Sequence, residues 1–151
     1  MIDPSKLIDS ASRIYGDQME PLWGPILPAP AERVTVLNDG DAVLLDDGQE
    51  IVAWDTPGHA RHHHAYVLGD VCFTGDVAGV RLEGCEYLSV AAAPPQFELE
   101  PYLASVVRLQ NASFRKLCLA HYGEVDQPGP HFANYARRIR EVHDRVRGWR
   151  A

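Results

Sequence analysis

The chain has 151 residues, enough for one domain that buries roughly 70% of its unfolded surface. Its 46% hydrophobic and 23% charged residues are ordinary for a globular protein and exclude a disordered chain. A formal net charge of −7 argues against a general nucleic-acid binder, and three cysteines without Cys-x-x-Cys spacing suggest neither a disulfide framework nor a zinc knuckle.

In chain order, the opening MIDPSKLIDS holds acidic residues early and no apolar run long enough for a signal peptide or a membrane span. The expectation is a soluble cytoplasmic protein with free thiols. Asp3 as N-cap and Pro4 at the first helical position open an amphipathic helix with Leu7, Ile8, Ala11, Ile14 and Tyr15 on one face, ending near Gly16. Leu22 to Pro30 is rich in proline and reads as a connector, pinned by Trp23 and Ile26. Residues 1–30 are therefore expected to form a helix and connector, as a lid, and residues 31–151 the body.

From Arg33 the hydrophobic period changes to two, which predicts a meander of RVTVL, AVLL and EIVAWDT with turns at Asn38 to Asp41 and Asp46 to Gly48. His64 to Leu68 and Val71 to Thr74 predict a hairpin that leads to Asp76, and residues 77–97 read as irregular. Leu99, Tyr102, Leu103, Val106 and Val107 recur at helical spacing. Lys116 to Ala120 suits a strand buried on both faces, with His121 at its carboxyl end. Phe132, Tyr135, Ala136, Ile139, Val142 and Val146 mark a last amphipathic helix. Its arginines, from Arg137, Arg138 and Arg140 to Arg145, Arg147 and Arg150, read as a solvated face rather than a nucleic-acid surface.

This order gives an α/β layer protein, with one mixed sheet and flanking helices. Several strands are apolar on both faces, as where Val52 and Trp54 alternate with Ile51 and Ala53. Helices can cover one face, and the other requires a second layer.

Three short motifs carry chemistry: Thr56-Pro57-Gly58-His59, Phe73-Thr74-Gly75-Asp76 and Ala120-His121-Tyr122-Gly123. Each places a metal-capable side chain at a strand end or loop, where a fixed backbone can aim it at a shared point. Singly they are ordinary turn and strand residues. As an ordered set, TPGHARHHHAYVLGDVCFTGD from Thr56 to Asp76 and the strand and histidine from Leu117 to Gly123 resemble the metallo-β-lactamase-fold metallo-hydrolase superfamily.

That resemblance implies the C-terminal half of an αββα sandwich over residues 31–151. It also implies two divalent ions, zinc first with iron or manganese as alternatives. His59 would hold the first ion, Asp76 would bridge both, and His121 would hold the second. The family's upstream His-x-His-x-Asp-His motif does not occur in this chain. Two donors per ion fall short of the three that catalytic zinc normally holds, so weak or partial metal occupancy is expected.

The remaining candidates are lesser ones. His62, His63 and His64 read as ordinary strand and surface histidines, since alternating strand positions cannot converge on one ion, with one of them as a supporting donor at most. Tyr122 reads first as a packed aromatic and second as a contact for substrate or an intermediate. Glu83 and Glu86 read as solvated loop acids, Cys85 lacks a recognisable base, and Ser89 lacks an elbow context.

The functional expectation is a hydrolase in which metal-activated hydroxide attacks an ester, thioester or lactone of a small-molecule substrate. The chain is expected to be a fragment, inactive alone, whose missing ligands lie upstream. The alternative is a non-catalytic half-domain acting as a binding or assembly module. In either case the open sheet face is expected to be covered by a missing N-terminal half or by self-association, with no membrane partner.

Overall fold

Local patterning and tertiary pairing agree over most of the chain in the computed structural model, which describes residues 1–82, 84, 85, 87–92 and 96–149. Glu83, Glu86 and Arg150 lie outside the described residues. The chain divides into two compact units, Met1–Val36 and Leu37–Ala151.

In the first unit, α1 spans Ser5–Tyr15. The Asp3 carboxylate accepts the Ser5 N–H at 3.0 Å, but Pro4 occupies the cap position, one residue later than expected. A second short helix, α2 (Met19–Trp23), takes up the start of the expected connector, and the Tyr15 and Trp23 rings meet edge-on at 4.5 Å. RVTVL does not form a strand. Its start is a 3₁₀ turn, Ala31–Arg33, and the first strand of the chain begins only at Ala42. Alternation without a paired neighbour makes no ladder.

The second unit is built on one sheet. Its strands are β1 (Ala42–Leu44), β2 (Glu50–Asp55), β3 (His64–Leu68), β4 (Val71–Arg81), β5 (Leu88–Ser89), β6 (Lys116–His121) and β7 (Glu124–Val125). Their order is β1-β2-β3-β4-β6-β7, with β5 paired to β4. The sheet is mixed, as expected, because β4 and β6 run parallel and the other pairs antiparallel. A parallel pair needs a crossover, and α3 (Leu99–Asn111) supplies it; α4 (Pro128–Gly148) follows β7. Residues 77–97 are more regular than predicted, since β4 continues to Arg81 and β5 pairs with it. Glycine-containing sequence hid that extension.

Both helices contribute to the buried core with one face of the sheet. Val67, Cys72 and Leu117, aligned across three strands, cluster with Tyr102, Val106 and Leu109 of α3 and with Phe132, Tyr135 and Ile139 of α4. The Cys72 thiol is pushed up to about 12 by burial, so it acts as a small apolar side chain. Arg108 ties α3 to the sheet edge through a two-pronged bond to Asp39, at 2.7 and 3.1 Å, and lies over the Trp54 ring. On the opposite face, Tyr66 and Phe73 are cross-strand partners that remain 38% and 41% exposed, which leaves an apolar surface open. Among the described residues every strand belongs to this single sheet.

His131 is a buried polar member of α4, with Nε2 donating to the Ala78 carbonyl at 2.9 Å. Burial holds its pKa below the usual 6.5, so its contribution to stability is present above that value and lost as pH falls. Urea midpoints are expected to drop between pH 7.5 and pH 5.5. His131→Gln is expected to flatten that slope in part, because His63 is lowered by burial in the same window. An unchanged slope in the variant would contradict this account.

Candidate metal centre

The His59 loop follows β2 and is fixed by the cap and the middle of α3. The Ser105 hydroxyl donates to the Pro57 carbonyl at 2.8 Å, and the Glu98 N–H donates to the Gly58 carbonyl at 2.8 Å. Gly58 has φ +129°, and a Cβ there would lie 2.3 Å from the Tyr102 Cα, so only glycine lets the loop approach the helix so closely. His59 Nδ1 donates to the Ala91 carbonyl at 2.7 Å. A carbonyl only accepts, so Nδ1 carries a proton and Nε2 is the ring atom left for another partner. That atom faces Asp76 Oδ2 at 3.6 Å.

Asp76 owes its direction to a disruption of β4. Gly75 pairs with Leu119 and Val80 with His121, so five steps along β4 oppose two along β6. Extra residues in one strand bend it and re-aim its side chains, here from a first shift between Phe73 and Gly75 through the longer one that contains Asp76. Gly75 enters the bulge at φ +54°, and a Cβ on it would fall 2.5 Å from His63 Nε2. The Asp76 peptide is then held from both sides. Its N–H donates to His63 Nε2 at 2.9 Å, and its carbonyl accepts the Tyr102 hydroxyl at 2.7 Å.

His121 ends β6 and brings Nε2 to 3.0 Å from Asp76 Oδ1. The structure therefore gathers the three sequence-predicted residues, and it gives each histidine a different oxygen of one carboxylate. Tyr122, the next residue, has φ +66°, a left-handed backbone uncommon outside glycine. Its ring is 67% exposed rather than packed, and it lines a cleft of about 530 Å³ with Arg81, Leu82 and Glu124.

His63 is the residue that sequence reasoning underrated. Its Nε2 accepts an amide N–H, so Nδ1 carries the ring proton and donates to Thr56 Oγ1 at 2.7 Å. Burial lowers its pKa, partly opposed by Asp76, which favours that neutral form. His64 pairs with Asp55 at 2.7 Å, and His62 is exposed. Three adjacent histidines thus have three environments, and only one braces the centre. The available signal was Thr56, a polar residue at the end of an apolar strand, which is fully buried against His63.

The donors suit a divalent ion in kind and spacing. Two ligands at zinc bond lengths and a tetrahedral angle stand about 3.3 Å apart, between the 3.0 and 3.6 Å measured here. The hydrogen bond at His59 Nδ1 is the support a metal-bound imidazole normally has. In number they fall short of the three protein donors that a catalytic zinc normally has. Among the described residues no three His, Cys, Asp or Glu side chains form a group that could hold an ion. The arrangement is two pairs sharing Asp76.

Comparison with known proteins gives this geometry a context. A family model described as the metallo-beta-lactamase superfamily matches residues 3–121. The metallo-beta-lactamase fold-containing protein ST1585 of Sulfurisphaera tokodaii is 29% identical over 120 residues, covering 80% of this chain and 44% of that protein. The crystal structure of ST1585 superposes with a TM-score of 0.75 at 27% identity, over 89% of this chain and 50% of that one. A metallo-beta-lactamase family protein from Thermus thermophilus, TTHA1429, at 20% identity, shares the fold with a TM-score of 0.54, over 91% of this chain and 46% of that one. The chain thus spans about half the length of these relatives.

Gly58→Ala is expected to destabilise the protein by about 3 kcal/mol, combining a close clash with a left-handed backbone. Urea denaturation measures it. A loss below about 0.5 kcal/mol, the usual range of neutral surface changes, would show that the loop is not held against α3 as described.

Proposed function

The chain belongs to the metallo-beta-lactamase superfamily, and from that premise we propose that it carries half of the two-ion centre of a hydrolase acting on a small ester, thioester or lactone. The fold is that of metal-dependent hydrolases. The observation that carries the proposal is the shared carboxylate, with His59 on Asp76 Oδ2 and His121 on Asp76 Oδ1. His59 and Asp76 would hold one ion, Asp76 and His121 the other, with zinc favoured over iron or manganese. Bound ions supply a nucleophile from water near neutral pH and polarise the bond to be broken.

The chain's own residues orient and shield. Ala91 fixes the His59 ring, His63 and Tyr102 fix the Asp76 peptide, and the buried Thr56 keeps the His63 proton on Nδ1. Tyr122 follows His121 in sequence and lines a cleft, where its hydroxyl can meet a substrate. Two protein donors per ion bind weakly, so the proposal includes further ligands from a segment outside this sequence, which makes this chain inactive by itself.

The open apolar face around Tyr66 and Phe73 favours a second reading, a half-domain that works as an assembly module. Both readings use a covering layer over that face, either an N-terminal half or a second copy. They differ at Asp76. Metal analysis after dialysis is expected to find zinc well below about two ions per chain, rising toward two when a segment with the upstream histidine motif is supplied. Asp76→Asn is expected to abolish that gain. Two tightly held ions in the chain alone would overturn the proposed division of the centre. Assembly through the open face, with no zinc bound in either form, would favour the second reading.

A further inference from the structure

His59 and Asp76 are joined by a hydrogen-bonded path, buried at its two tyrosines, whose protons can be placed one after another. His59 Nδ1 donates to the Ala91 carbonyl at 2.7 Å, and the Ala91 N–H donates to Tyr135 Oη at 3.2 Å. The Tyr135 and Tyr102 hydroxyls lie 2.8 Å apart, and the Tyr102 hydroxyl donates to the Asp76 carbonyl at 2.7 Å. A carbonyl only accepts, so the single Tyr102 proton is committed to Asp76. The bond between the phenols must therefore run from Tyr135 to Tyr102.

Each hydroxyl on the path donates once and accepts once. Both tyrosines are 0% exposed, one on α3 and one on α4, so water does not reach the path through them. Burial pushes both phenols up, which keeps them protonated and able to donate. Packing alone does not ask for these hydroxyls, since phenylalanine would fill the same space without a buried polar atom to satisfy. What the hydroxyls add is a link between the Ala91 peptide, whose carbonyl sets the His59 ring, and the Asp76 peptide, whose side chain faces that ring.

We infer that Tyr102 and Tyr135 are positioning residues for the metal centre: by bridging the Ala91 and Asp76 peptides they set the gap between His59 Nε2 and Asp76 Oδ2. The inference rests on the metal reading above. It assigns the two residues no contact with substrate. One path also has one prediction of its own, that breaking it at either tyrosine has the same effect as breaking it at both.

The test is a zinc titration of the full chain, followed by the ring-proton NMR shifts of His59 and His121, which reads weak affinities directly. Tyr102→Phe, Tyr135→Phe and the double variant are compared with Ile139→Val, a core change on α4 one turn from Tyr135 that leaves every hydroxyl of the path in place. About tenfold weaker binding is expected in each tyrosine variant, with the double no worse than roughly the singles. Ile139→Val is expected to lose stability and keep its zinc affinity. Binding within twofold of the parent in both single variants would overturn the inference and leave the metal reading standing. No zinc-induced shift in the parent chain would instead overturn the metal reading, and with it the assigned role. If the variants do not fold, the unmutated protein still decides: the nitrogen spectrum of His59 must show its proton on Nδ1, and a proton on Nε2 would refute the path.

Discussion

The Asp76 carboxylate is the point on which the structure turns, because one short side chain must face two imidazoles at once. Its two oxygens lie 3.6 Å from His59 and 3.0 Å from His121, which come from a loop after β2 and from the end of β6. A regular β4 would alternate its side chains between the two faces of the sheet. The bulge after Gly75 replaces that alternation with a turn of the backbone at the required place. A bulged peptide loses ladder partners, and here they are replaced by His63 on the nitrogen and Tyr102 on the oxygen. The same groups that repair the backbone thereby fix the residue whose carboxylate faces both histidines.

The layering explains where that centre sits. α3 and α4 share one buried core with the Val67, Cys72 and Leu117 face of the sheet, while the Tyr66 and Phe73 face stays open. α3 then serves twice, since Ser105 in its middle and Glu98 at its cap also pin the His59 loop through Pro57 and Gly58. Disturbing the helix layer therefore reaches the Asp76 carboxylate without touching His59, Asp76 or His121 directly. The proposed covering layer and the proposed further ligands would both be supplied from outside the α3–α4 side of the sheet.

Much of this was legible in the sequence because it is local. The three motifs place His59, Asp76 and His121 by short-range chemistry, and α3, β3 and α4 stand where their hydrophobic periods put them; β6 also forms, but only Leu117 of it is buried, so the expected burial on both faces does not hold. Other features depend on pairing across the chain. RVTVL alternates like a strand but meets no partner, and β4 runs past Asp76 because β5 and β6 pair with it. His63 looked like its neighbours because its role is set by a bond to a residue thirteen positions away. Tyr102 and Tyr135 matched the apolar face of their helices, and a helical period carries no information about where a hydroxyl points. Tyr122 was expected to pack and is exposed, since its left-handed backbone turns it outward from the strand.

The central claim, that Asp76 is shared between two ion positions, is tested most directly by anomalous diffraction at the zinc edge from zinc-soaked crystals of this chain. The account predicts zinc at the Asp76 carboxylate, with one position bonded to His59 Nε2 and the other to His121 Nε2. Zinc bound only at histidines away from Asp76, or none at Asp76 under saturating metal, would contradict it.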